Sequence, residues 1–245
     1  MRQPSDTDAL PNDAPAADRW AALYRAGAIA ALLIAVLLVA EVAVYAAWPR
    51  PESAREHLEL FQRDRLIGLL TLDLLGIVAY VLFVPVMLAL YLALHRQAEG
   101  TMLIGTSLFF VGVSVFLATN TALPVLALSA RYGASAVEAD RVAALGAAEA
   151  MFAIFNETAF LTSYVLVSAA WAMVGGGMLR SRRFGRPAAY AGILAGLAGI
   201  VAVVFEHASA DLVAVAIPMY FAAIVLLIGW VSLTGRALWR VRLTL

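Results

Sequence analysis

The sequence contains no cysteine, which excludes disulfides, thiolate metal ligands, iron–sulfur clusters and a cysteine nucleophile. It contains no lysine either, and all 17 basic residues are arginine. Schiff-base chemistry and the phosphate-gripping lysine of nucleotide loops are therefore excluded too. Charge is scarce: charged residues make up 14% of the chain, against about 25% in soluble domains. The 17 acidic residues cancel the 17 basic ones, so no basic excess is left to bind nucleic acid. The three histidines, His57, His95 and His207, lie in segments expected to be far apart, which argues against a zinc site built on imidazoles. No oxygen-ligand spacing calls for a hard cation, and no cofactor is expected.

What fills the chain is apolar. Of 245 residues, 63% are apolar and the mean hydropathy is +0.88, a composition that needs several segments dissolved in lipid. Apolar runs cover residues 26–48, 66–94, 102–122, 152–179, 187–205 and 212–233. Each is near or above the roughly 20 residues that cross a hydrocarbon core of about 30 Å. The expected fold is all-α: a polytopic membrane protein with a bundle of six transmembrane helices over residues 19–242. Residues 1–18 are rich in Pro and Asp and are expected to form a disordered tail. That acidic tail, and the length of the run after it, make the first run a span rather than a signal peptide. Trp20, Tyr24, Tyr45, Trp48, Trp230 and Trp239 sit at run ends, where an interfacial aromatic belt belongs.

Orientation follows from arginine. Six crossings put 11 arginines on the side of both termini and six on the other. The connection carrying Arg180, Arg182, Arg183 and Arg186 is short and purely basic. Both termini are thus expected in the cytoplasm, with this basic loop facing anionic inner-leaflet lipid.

Two longer outer segments carry a capping-box pattern, Ser53 with Glu56 and Ser135 with Glu138. They are expected to start short amphipathic helical collars that run unbroken into the second and fourth spans. Gly192 and Gly196 stand at GxxxG spacing in the fifth span. This suits close packing by a neighbouring helix of the bundle, or alternatively a homo- or hetero-oligomer through that face.

An ionised group at mid-membrane costs about 2.5–3.5 kcal/mol on insertion scales, so each needs a partner, water or a function. Glu41, Asp73, Asn120, Asn156, Glu157, Glu206 and His207 all fall in the outer halves of their spans, and together they suggest an outward-facing polar pocket. Glu41, Asp73 and Glu157 have no expected helix end within a turn to explain them. Asp73 and Glu157 each precede a tyrosine by seven residues, Tyr80 and Tyr164, which places acid and phenol on one helix face. Asn120 and Asn156 can alternatively serve as cross-helix hydrogen-bonding groups. His207 is placed to cap a helix end.

The chain resembles a bacterial multi-pass family catalogued as domain of unknown function 4386. The resemblance rests on DLLGIVAYVLFVPVMLALYLALHR at residues 73–96, ATNTALPVLALSARYGAS at 118–135 and RVAALGAAEAMFAIFN at 141–156. It implies about six spans in a bacterial plasma membrane and supplies no activity, cofactor or catalytic residue.

The function expected from these residues is non-enzymatic: small-molecule or proton binding, sensing, or a transport accessory role. Two alternatives stand beside it. One is a membrane enzyme acting on lipid headgroups, with Glu41, Asp73 or Glu157 as general base; the other is a structural subunit of a larger membrane complex.

Overall fold

A computed structural model describes residues 16–243; residues 1–15 of the expected tail lie outside the described residues. The helices are α1 (Ala16–Ala47), α2 (Ala54–Arg63), α3 (Arg65–Thr71), α4 (Leu74–Leu94), α5 (Glu99–Thr119), α6 (Ala122–Ala134) and α7 (Glu138–Ile154). A π-helical turn (Phe155–Ala159) leads into α8 (Phe160–Met178), followed by α9 (Arg186–Ala208), a 3-10 turn (Ala210–Leu212) and α10 (Val213–Leu243). The fold is all-α, with six apolar stretches long enough to cross a membrane: Trp20–Ala47, Leu74–Leu94, Glu99–Ala134, Glu138–Met178, Arg186–Ala208 and Val213–Arg240.

Length separates span from collar. Glu99–Ala134 has 36 residues and Glu138–Met178 has 41, or about 54 and 62 Å at 1.5 Å per residue, roughly twice a hydrocarbon core. The excess is α6 and α7. With α2 and α3 they pack at one end of the bundle around Leu58, Phe61, Leu72, Val125 and Tyr132. Polar contacts tie this collar together: Ser129 Oγ donates to the Leu58 carbonyl at 2.6 Å, and Gln62 Nε2 donates to the Ser129 carbonyl at 3.2 Å. Burial there pushes the His57 imidazole below its ordinary value, against the pull of its hydrogen bond to the Ser53 carbonyl.

Several expected boundaries are corrected. The first collar does not run unbroken into the second span. Asp64 ends α2, and its carboxylate accepts the amides of Leu66 (2.9 Å) and Ile67 (3.0 Å) to start α3. The chain then turns again at Asp73, with φ 65° and ψ 30°, before α4. The apolar run 66–72 looked continuous because periodicity does not register a side chain that replaces the helix's own donors and acceptors. Ser135 ends α6, with its amide on the Arg131 carbonyl, and does not cap α7. Its Oγ accepts from Val137 N (3.1 Å) and donates to Asp140 (3.2 Å), so α7 starts at Glu138. At the first box, Ser53 accepts from the Glu56 amide as expected, while Glu56 accepts from Glu52 N rather than from the amide of Ser53. An extra collar helix, α6, follows the break at Asn120 and Thr121. The passage from α7 to α8 is continuous through the π-turn.

The spans form a ring in which α1 packs against α4 and α10, α9 lies between α10 and α8, and α8 packs on α5. Glycine sets the closest approaches. A Cβ on Gly196 would lie 2.3 Å from the Ser168 carbonyl of α8, and one on Gly192 would lie 2.7 Å from the Trp230 indole nitrogen of α10. Both glycines are buried. The Gly192/Gly196 face is therefore occupied by α8 and α10 of the same chain, and no oligomer through it is shown.

Candidate functional site

The ring encloses a cavity of about 380 Å³ towards its collar end, and α1, α4, α5, α8, α9 and α10 all contribute to its wall. At the mouth, the break before α4 aims Asp73 at the end of α1 and the loop after it. Arg50 Nη2 lies 2.6 Å from Asp73 Oδ1 and 2.6 Å from Tyr45 Oη. Tyr45 also donates to Asp73. The Arg50 guanidinium sits over the Tyr45 ring, 4.4 Å from its centroid. A carboxylate whose side chain is 13% exposed thus has its charge balanced and two donors on its Oδ1, the kind of pairing a desolvated carboxylate needs.

Glu41, one helical turn before Tyr45, and Glu206, at the end of α9, face the same cavity. Tyr220 of α10 donates to Glu206 Oε2. The wall is also aromatic, and the rings form a connected chain through Phe155, which meets Phe116 and Phe160 at 6.0 Å each. Tyr80 meets Phe116 (4.5 Å), Phe160 meets Tyr164 (5.3 Å), and Tyr164 meets both Tyr220 (5.6 Å) and Trp171 (6.4 Å). Phe83 continues the chain from Trp171 at 5.8 Å. Leu38, Val42, Ile224 and Leu227 complete the apolar part of the wall.

A second, more polar hollow of about 470 Å³ adjoins the first and shares Arg50, Asp73, Phe160 and Glu206 with it. Asn156, Glu157 and His207 line this vestibule. The π-turn is the local cause. Widening one helical turn shifts the register of the side chains that follow and brings Asn156 and Glu157 to the vestibule. The two ring nitrogens of His207 reach the carbonyls of Val203 (2.8 Å) and Asn156 (3.0 Å), which ties α9 to the π-turn.

Of the residues singled out by sequence, the structure gathers Glu41, Asp73 and Glu206 on the inner cavity and Asn156, Glu157, Glu206 and His207 on the vestibule. Asn120 lines neither; it ends α5, and its Oδ1 accepts from Ala122 N at 2.9 Å across the break before α6. Asp73 stands at a helix start, contrary to the expectation that no helix end lay near it. Tyr80 and Tyr164 both face the inner cavity, whereas Glu157 lies in the vestibule. Sequence reasoning missed Arg50 as the partner of Asp73 and Tyr220 as the partner of Glu206. It also missed the aromatic wall. The four-residue spacing of Glu41 and Tyr45 was a readable signal, since such pairs share a helix face; the long-range pairs left none.

Arg180, Arg182, Arg183 and Arg186 are exposed in the turn from α8 to α9, at the end of the bundle opposite the collar. Among the described residues, no group of three His, Asp or Glu side chains is placed to hold a metal ion.

No curated protein and no solved structure matches the chain. The sequence profile of a family described as a domain of unknown function, DUF4386, matches residues 25–236. That stretch reaches beyond the quoted motifs to include nearly all of the first and last spans. The chain belongs to the DUF4386 family.

Proposed function

We propose that this protein binds a small molecule in the central cavity without converting it, as a sensor, transporter or transport accessory of a bacterial inner membrane. The observation that carries the reading is the convergence of all six spans on one cavity of about 380 Å³, a size within the range of small-molecule sites. Its wall joins the charged groups of Glu41, Arg50, Asp73 and Glu206 to rings that run on through Trp171 and Phe83. Such a wall orients an amphiphile: the charged groups fix the headgroup and the rings take up the apolar body. The break at Asp73 and the π-turn each interrupt regular helix beside the cavity, and departures of this kind concentrate at functional sites.

The arginine distribution supports an opening on the outer side. Arg50, Arg55, Arg63, Arg65, Arg131 and Arg141 belong to the collar end, where Glu52, Glu56, Glu59, Asp64, Glu138 and Asp140 accompany them. The purely basic turn belongs to the other end, which on this reading is cytoplasmic.

The absence of cysteine makes a direct test possible. A Cβ on Gly76, in the cavity wall, meets nothing closer than 3.5 Å, so Gly76→Cys is a mild probe. Leu33→Cys reports the lipid-facing side of α1, and Ala136→Cys the exposed connection between α6 and α7. With a membrane-impermeant thiol reagent outside intact cells, Gly76→Cys and Ala136→Cys are expected to label and Leu33→Cys to stay silent. Labelling of Ala136→Cys with none at Gly76→Cys would mean a dry structural network and end the binding reading.

A further inference from the structure

Resting on the binding reading above, we infer that the cavity takes an organic cation, an ammonium or quaternary ammonium compound with an apolar body.

The first argument is charge. Three carboxylates line the inner cavity, those of Glu41, Asp73 and Glu206, against one arginine, Arg50. Arg50 is committed to Asp73 and Tyr45. Among the described residues, no arginine or histidine lies within ion-pair distance of Glu41 or Glu206, which the cavity receives from two different helices. An anion entering here meets three carboxyl groups against one guanidinium that is already paired with Asp73, whereas a cation adds the charge the site is short of. Low local dielectric magnifies that difference relative to bulk water.

The second argument is independent of charge. Beside the carboxylates, the wall includes the rings of Tyr80, Phe116, Tyr164, Trp171 and Tyr220. Aromatic faces carry negative quadrupole density, and several rings around one space form the arrangement that receives alkylated ammonium groups. A bare metal ion is a poorer fit, because among the described residues no three His, Asp or Glu side chains come close enough together and the phenyl surfaces offer it nothing in place of its water.

A third observation refines the ligand. Trp171 is 3% exposed, and its indole N–H has no hydrogen-bond acceptor. A buried donor without a partner is unfavourable. A ligand oxygen, hydroxyl or carbonyl, on the apolar body would satisfy it.

The test compares two methanethiosulfonate reagents of similar size on Gly76→Cys, one ending in trimethylammonium and one in sulfonate. Each rate is divided by its rate with free cysteine, which removes intrinsic reactivity. The cationic reagent is expected to be favoured at least tenfold. Combining Glu41→Gln with Glu206→Gln is expected to reduce that preference to less than threefold. In the unsubstituted cavity, phenyltrimethylammonium is expected to slow labelling by either reagent saturably, a readout that does not depend on how the glutamine variants fold. Equal normalised rates, preference for the sulfonate, or no protection by phenyltrimethylammonium would overturn the cation assignment and leave a wet cavity in place. Silence toward both reagents, with the unfolded chain labelled, would instead remove the binding reading itself.

Discussion

Asp73 joins backbone, charge and cavity in one residue. Among the described residues it is the single non-glycine position with positive φ, at 65°. Aspartate and asparagine tolerate the left-handed region better than other side chains. Its carboxylate, beside the start of α4, then receives Arg50 and Tyr45. Backbone and charge can be separated by substitution. Asp73→Asn keeps the turn and weakens the ion pair; Asp73→Val loses both and adds about 1–2 kcal/mol of backbone strain. Thermal unfolding in detergent is expected to rank them wild type, then Asn, then Val. Equal losses in the two variants would show that the left-handed turn contributes nothing. The acids themselves were legible in the sequence, because a charge within an apolar run stands out against the cost of inserting it. Their partners were not. Arg50 lies 23 residues from Asp73 and Tyr220 lies 14 from Glu206, and neither pairing follows from a helical period. Asn120 shows the opposite failure: it attracted attention as a polar residue in a span, and it stands at the break between two helices that the apolar pattern had not separated.

At the scale of elements, glycine decides how closely α8, α9 and α10 approach. GxxxG spacing was readable, but the sequence alone did not distinguish a neighbouring helix of the same chain from one of a second chain. Gly196 touches α8 backbone, with Ser168 O and Ala172 N at 2.3 and 2.7 Å from its would-be Cβ, whereas Gly176 has nothing within 4 Å. Gly196→Ala is therefore expected to cost about 1–3 kcal/mol by forcing the helices apart. Gly176→Ala is expected to cost nothing, since alanine also favours the helix. Melting temperatures of the two variants check this, and a loss at Gly176 equal to that at Gly196 would contradict the packing account. Collar boundaries were the least legible elements. Ser53 and Ser135 read alike in sequence, yet only Ser53 accepts the amide three residues on. Ser135 bonds instead to Val137 and Asp140, a local alternative that serine always offers.

At the scale of the whole molecule, apolar length alone predicted six spans, because lipid leaves the backbone no alternative to helix. The central cavity was only hinted at. Polar residues in the outer halves of several spans imply a shared depth, but which of them meet depends on the order of helices around the ring, and no linear pattern carries that order. The aromatic wall was hidden for a related reason: in spans that are apolar all round, a ring facing a cavity reads the same as one facing lipid. The central claim is that the six spans surround water rather than side chains or acyl chains. A nitroxide attached to Gly76→Cys in lipid vesicles tests it through collisional relaxation by two agents, a water-soluble nickel chelate and molecular oxygen, which partitions into lipid. The account predicts strong relaxation by the chelate and weak relaxation by oxygen at position 76, with the reverse at a nitroxide on Leu33→Cys. Oxygen exceeding the chelate at position 76, or neither agent reaching it, would contradict the account.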